Sequence, residues 1–235
     1  DPRNDGVMKS RRDNRDKVKI ALASGSPRRR EIIKALDVHV DVIGSKGDEP
    51  SPDAGEPPLV YARRVAEGKV RRASPSEGHA IIIGADTSVV LGGAILGKPT
   101  DEAEAERMLR SLRGRVHGVV TGIAVLDTAT GKCETTARSS DVHLRRYTDD
   151  EMLAYIASGE PFDKAGAYAA QDRHFRPAIR IEGCYLNVVG LPLCDVMPLL
   201  DKMGVAAGIR KGWKIPEECE DCELGRETVT EGGAR

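Results

Sequence analysis

An α/β fold with a mixed central β-sheet flanked by helices is predicted by two features of this chain. Strand-like and helix-like segments alternate over residues 18–203, as a layered sheet-and-helix domain requires. The run 79–84 is almost continuously apolar, as in a strand covered on both faces. With 235 residues and 40% hydrophobic content, one folded domain is expected over 18–208, between a flexible segment 1–17 and a flexible acidic tail 209–235.

The first strand is expected at 18–23, directly before Ser24-Gly25-Ser26-Pro27-Arg28-Arg29-Arg30. Ser26 suits a helix N-cap and Pro27 the first helical position, while Ile32, Ile33 and Leu36 supply an apolar stripe to about residue 36. Short β character at 38–43 leads into the Gly, Pro, Ser and Asp-rich loop 44–58, and helical spacing follows over 59–72. The buried strand ends at Ala85-Asp86-Thr87, which puts a carboxylate at a strand end. Gly92-Gly93, between β-type runs 88–91 and 94–96, is a tight-hairpin signature that brings Lys98 near Asp86. Thr100 is the expected cap of a helix to about residue 112, with Asp101 and Glu102 in its first turn.

Strands are expected next at 116–126 and 132–144. Thr148-Asp149-Asp150-Glu151 matches a capping box and opens a helix that stops at Gly159. A charged, glycine-punctuated loop covers 159–168, too polar for core and of the kind that carries function. Strands at 179–181 and 185–189, joined by a turn at Glu182-Gly183, precede a helix over 192–203 interrupted or restarted at Pro198.

Composition removes several classes of function. Basic and acidic residues nearly cancel, 36 against 37, so no global field points to a nucleic acid polymer or a membrane surface. Aromatic residues make up only 3%, too few for a single-strand stacking platform. The five cysteines are odd in number and scattered, which fits a reducing, cytoplasmic setting. Cys219 and Cys222 have the spacing of a zinc half-site but lack a second pair, so a solvated tail is expected there. His117 falls in a strand and reads as structural; His39, His79, His143 and His174 show no ligand spacing.

Taken alone, the residues leave alternatives open. The Ser24 to Arg30 turn is either a polyphosphate cradle or an ordinary strand-turn-helix with surface arginines. Asp86 is either a functional carboxylate or an Asx-type turn. Lys69 shares a helix with Arg63, Arg64, Arg71 and Arg72, charges whose common fate is a solvated face. Asp163 and Lys164 either line a cleft or pair locally to fix their loop.

Six motifs then occur in order: Ser24-Gly-Ser-Pro-Arg-Arg, Gly84-Ala-Asp-Thr, Gly97-Lys-Pro, Arg115-Val-His-Gly-Val-Val-Thr-Gly, Gly159-Glu-Pro-Phe-Asp-Lys-Ala-Gly and Asn187-Val-Val-Gly-Leu-Pro. On these the chain resembles the Maf family of nucleoside triphosphate pyrophosphatases over about residues 19–203. The resemblance implies an elongated, two-lobed architecture like that of inosine triphosphatases, with the active cleft between lobes, often in a homodimer. It also implies hydrolysis between the α and β phosphates of a nucleoside triphosphate, assisted by Mg²⁺ or Mn²⁺. Asp86 would then be a metal ligand and the general base, with Glu49 as second ligand. Ser24, Ser26, Arg28, Arg29, Lys69 and Lys98 would hold the triphosphate.

The base would be read by Arg29, Thr87 and Gln171, because an amide offers the donor and acceptor that thymine and uracil share. In the family, a glutamine at the place of Gln171 accompanies the dTTP and UTP branch. The chain departs from the pattern at Ala169-Ala170-Gln171-Asp172, where the family usually has glycines on either side of an Ile-Gln pair, so backbone freedom near the base is reduced. Two alternatives stand beside this reading: a 7-methyl-GTP pyrophosphatase, and a nucleotide-binding regulator of cell division or septum formation with little turnover.

Overall fold

The first strand, β1 (Ile20–Ala23), is apolar at every position and lies between two parallel neighbours, β2 (Val40–Ile43) and β3 (Ile81–Leu91). The computed structural model describes residues 18–44, 47, 49–73 and 80–219. Beyond β3 the sheet is antiparallel through β5 (Val116–Asp127), β6 (Cys133–Leu144) and β7 (Ala178–Glu182). The order is β2-β1-β3-β5-β6-β7, and β4 (Ala94–Leu96) folds back on β3 alone. Gly92 and Gly93 have φ of +58° and +85°, the paired positive angles a two-residue hairpin needs. The sheet is therefore mixed and helix-flanked, as expected.

Two consequences of the pairing place the site. β1 pairs with β3 only as far as Gly84, whereas β4 begins to pair at Val89. Residues 85–88 of β3 thus present an open edge in the middle of the sheet. Side chains also alternate along a strand, so Ile82, Gly84 and Asp86 share one face while Ile83, Ala85 and Thr87 share the other.

Helix α2 (Pro58–Arg72) covers the first of these faces at unusually close range. A Cβ on Gly84 would stand 2.6 Å from Val70 Cγ1 and 3.1 Å from the Ala66 carbonyl, and one on Gly122 would stand 2.1 Å from the Ala62 carbonyl. Ala66, Val70, Ile82 and Ala124 fill this layer. On the other face α1 (Pro27–Ile33), α5 (Tyr185–Val189) and α6 (Leu193–Lys202) close a core over Ile81, Ile83, Ala85, Ile123 and Val125. A second core at the far end joins Val89 and Val119 to α3 (Glu102–Leu112) and α4 (Asp149–Ala157). Between the two cores lie Thr87 and Thr121, paired across β3 and β5. The two-lobe expectation corresponds to this division.

Several local expectations are corrected. Residues 185–189 are helical rather than extended: a short apolar run fits either state, and Gly190, at φ +115°, supplies the left-handed cap while its N–H bonds the Leu186 carbonyl. Asp86 lies within an eleven-residue strand, not at its end. The cap of α3 is Asp101, whose carboxylate accepts from Glu104 N, and Thr100 instead bonds the Glu104 carboxylate. Helix α6 runs unbroken past Pro198. The capping box at Thr148 and Glu151 forms as expected.

Helix α1 ends at Ile33, short of residue 36, which frees the Ala35 and Leu36 carbonyls. The chain expected to be tail meets that need: Arg210 N bonds Ala35 O at 2.7 Å and its guanidinium bonds Leu36 O. Trp213 and Ile215 pack on the same core, and Cys219 is fully buried. Residues 209–219 therefore belong to the folded body. The expectations for residues 1–17, His79 and Cys222 lie outside the described residues. Among the described residues, no helix is long and apolar enough to cross a membrane.

Gly122→Ala tests the close seating of α2, since the added methyl meets backbone rather than a movable side chain. A loss of about 3 kcal/mol or more in unfolding free energy is expected from urea titration, at the upper end of overpacking costs. A change under about 0.5 kcal/mol, typical of an unstrained surface site, would contradict this packing.

Candidate active site

The short separation between α2 and the sheet brings Lys69 over the open edge of β3. Lys69 is buried, whereas Arg63, Arg71 and Arg72 on the same helix are exposed. Its Nζ donates to Asp86 Oδ1 at 2.7 Å and to Glu49 Oε1 at 2.7 Å. One ammonium therefore gathers a buried strand carboxylate and a half-exposed one from the loop after β2. Burial pushes the Glu49 carboxyl up, but Lys69 against it, aided by Lys98 and Arg29, holds it below the usual carboxylate range. Asp48, the acidic neighbour of Glu49 in the sequence, is outside the described residues.

Glu49 Oε2 and Asp86 Oδ2 accept no hydrogen bond from any described residue. Among the described residues no group of three or more His, Cys, Asp or Glu converges as a metal cage. Two hard carboxylate oxygens beside an open cleft fit a Mg²⁺-type cation that arrives with phosphates and keeps its own waters.

On the opposite side of β3, Thr87 meets Arg29. Arg29 Nη2 donates to Thr87 Oγ1 at 2.8 Å and Nε to the Gly190 carbonyl at 2.8 Å. Burial lowers the Arg29 pKa, opposed by attraction to Asp86, yet a guanidinium stays charged throughout the working pH range. Arg29 reaches this place because Ser26 caps α1, its Oγ accepting from Arg29 N, while Ser26 N in turn donates to the buried Ser24 hydroxyl. With only seven residues α1 has a weak dipole, so side-chain charge, not the helix terminus, dominates the electrostatics here.

The remaining candidates come from the turns at 159–171. Gly166 N bonds the Gly97 carbonyl at 2.9 Å, which ties these turns to the one that carries Lys98. Asp163 and Lys164 satisfy both alternatives at once. Lys164 Nζ bonds Asp163 Oδ1 at 2.6 Å, Glu160 Oε2 at 2.9 Å and the Glu160 carbonyl, and both residues line the cleft.

Every residue expected at the site lines this one cleft of about 260 Å³: Ser24, Ser26, Arg28 and Arg29 from the turn into α1, Glu49, Lys69, Asp86, Thr87 and Lys98 from the loop after β2, α2, β3 and the turn after β4, and Asp163, Lys164 and Gln171 from the turns at 159–171. Its lining carries five cations, Arg28, Arg29, Lys69, Lys98 and Lys164, against three carboxylates, Glu49, Asp86 and Asp163. That excess suits a multiply charged anion.

Thr121, Asn187 and Gly190 fall within two of the six motifs and Tyr168 within the charged loop 159–168, but sequence reasoning assigned none of the four a part in the site. The signal for Asn187 is its position inside the apolar run Leu186-Asn187-Val188-Val189, where a polar side chain must have buried partners. Asn187 is wholly buried and bonds Val119 O, Ser140 Oγ and Thr121 N.

The chain matches the Maf-like protein family over residues 19–203. Among curated relatives it is 38% identical over 218 residues to a "dTTP/UTP pyrophosphatase" of Dehalococcoides mccartyi, covering 93% of this chain and 97% of the relative. A protein of the same name from Geobacter sulfurreducens is 46% identical over 191 residues, covering 80% and 98% respectively. Another, from Geotalea uraniireducens, is 45% identical over 188 residues, covering 80% and 96%.

His117 is structural, as expected: its Nε2 meets the Tyr168 hydroxyl at 2.6 Å and its ring is buried. Burial, reinforced by His143, pulls its pKa down from 6.5 to about 4. The unfolded chain then takes up the proton first, so this contribution is complete above pH 6.5 and is lost as pH falls toward 4. Relative to His117→Gln, the wild-type protein should lose about 2 kcal/mol between pH 7 and pH 5 in urea unfolding. Parallel pH profiles for the two proteins would contradict a neutral buried imidazole.

Proposed function

The chain belongs to the Maf-like protein family, and on that premise we propose that it hydrolyses dTTP and UTP to the nucleoside monophosphate and pyrophosphate. The observation that carries the reading is the shared cleft, where a buried Asp86 held by Lys69 stands among an excess of cations.

Arg28, Lys98 and Lys164 offset the charge of the triphosphate, and the hydroxyls of Ser24 and Ser26 offer donors to its oxygens. Lys69 occupies Asp86 Oδ1, which orients the carboxylate and leaves Oδ2 to accept a proton. Water adds to the α phosphorus, the bond from that phosphorus to the bridging oxygen breaks, pyrophosphate departs, and the water's proton passes to Asp86. Glu49 and Asp86 would hold Mg²⁺ or Mn²⁺, which when bound neutralises phosphate charge and acidifies nearby water. Arg29 and Gln171 face the base, the amide supplying one donor and one acceptor to the edge of uracil or thymine.

Pyrophosphate release from dTTP, UTP, CTP, GTP and 7-methyl-GTP, with Mg²⁺ or Mn²⁺, tests the proposal. Preference for dTTP and UTP is expected. Preference for 7-methyl-GTP would transfer the chain to the other branch, and nucleotide binding without turnover would support a regulatory role. Asp86→Asn should keep the fold and nucleotide binding while reducing kcat by roughly 10²- to 10⁴-fold, the usual contribution of a positioned general base. Near-normal turnover would reject that role for Asp86.

A further inference from the structure

Along one chain of contacts behind Arg29, every donor and acceptor follows from chemistry. Arg29 Nη2 lies 2.8 Å from Thr87 Oγ1, which lies 2.9 Å from Thr121 Oγ1, which lies 2.8 Å from the main-chain carbonyl of Asn187. A guanidinium can only donate and a carbonyl can only accept. Thr121 has one hydroxyl proton. Directing it to Thr87 would leave two oxygens 2.8 Å apart at Asn187 with no proton between them. It therefore points to Asn187, Thr87 points to Thr121, and Arg29 donates to Thr87. The relay runs one way from the cleft into the body of the protein.

This direction narrows the expectation for Thr87, whose only proton faces away from a ligand. It also fixes what Arg29 presents. Two carbonyls of α5 and its cap hold the guanidinium, that of Gly190 directly through Nε and that of Asn187, in mid-helix, through the two threonines. Asn187 is itself clamped by Val119 O, Ser140 Oγ and Thr121 N. Arg29 Nη1 makes no hydrogen bond with any described residue, so its donors remain for the cleft. Gln171 alone cannot select a base, because an amide can turn end for end and satisfy cytosine as well as uracil. A fixed group that only donates can donate to the uracil O4 but meets the cytosine amine donor to donor.

Resting on the reading that Arg29 faces the base, we infer that Thr121, fully buried and outside the cleft lining, is a positioning residue for pyrimidine selection, setting the relay so that Arg29 offers donors at a fixed place. The belt between the two apolar cores thereby connects packing to specificity.

Thr121→Val keeps the side-chain shape and removes the hydroxyl. Steady-state kinetics on UTP and CTP, with thermal unfolding alongside, should show KM for UTP raised roughly tenfold, equivalent to one weakened hydrogen bond to a charged group. kcat should stay within about twofold, since binding remote from the phosphorus is what is lost. The UTP-over-CTP preference in kcat/KM should shrink to a comparable extent, and Thr121→Ser should restore it. A merely structural Thr121 would lower the Tm and the active fraction while leaving KM and the base preference at wild-type values, and that result overturns the inference. If Thr121→Val does not fold, Thr121→Cys, with similar volume and a weaker donor, carries the same expectations. Absence of UTP hydrolysis by the wild-type protein would instead overturn the substrate reading, and this inference with it.

Discussion

The seating of α2 directly on the sheet is the constraint from which the site follows. Gly84 and Gly122 leave no room for a Cβ beneath Ala62, Ala66 and Val70. A helix raised by the thickness of ordinary side chains would carry Lys69 away from Asp86. The glycines thus act on function through distance: they let a lysine stem cross to a strand carboxylate and neutralise it in a buried setting, where an unpaired charge is costly. Glu49 joins from a flexible-composition loop because the same ammonium has a second donor to offer.

The sheet supplies the complementary half of the arrangement. Because β1 stops pairing at Gly84 and β4 starts at Val89, the intervening edge of β3 is left to other partners. Alternation then divides the labour between neighbours in sequence, with Asp86 turned toward α2 and Thr87 toward α1 and α5. Adjacent residues on one strand serve different walls of one cleft, and the antiparallel partner β5 backs both, Gly122 behind Asp86 and Thr121 behind Thr87. Glycine is needed on the first face and a hydroxyl on the second.

Several of the buried polar groups of this molecule, Asp86, Thr121, Ser140 and Asn187 among them, lie near these junctions. The cores on either side of Thr87 and Thr121 are built from packed aliphatic and aromatic side chains. The junction instead holds a fully connected set of hydroxyl, amide and guanidinium groups, ending at Asn187 and Ser140. Satisfied networks of this kind rigidify their surroundings, because any rearrangement leaves a buried donor or acceptor without a partner. Rigidity behind Arg29 and charge in front of it are two aspects of one design.

By itself, the sequence determined what local patterning and residue chemistry control: an α/β plan, the Gly92-Gly93 hairpin and the Thr148 capping box, while the residues that gather in the cleft were legible through six ordered motifs and, for Glu49, Lys69 and Gln171, only through the resemblance those motifs carry. Only the tertiary structure decided the rest. Whether 185–189 became helix or strand depended on a cap and on buried partners for Asn187, neither visible in a five-residue apolar run. Whether 209–219 stayed in solvent depended on carbonyls freed 174 residues earlier in the chain, at Leu36. Thr121 lies in the fourth motif, yet its role was not legible there, since the direction of its hydroxyl is set by Arg29 at one end of the relay and Asn187 at the other. Local propensity is a property of neighbours in sequence, whereas hydrogen-bond satisfaction is a property of neighbours in space.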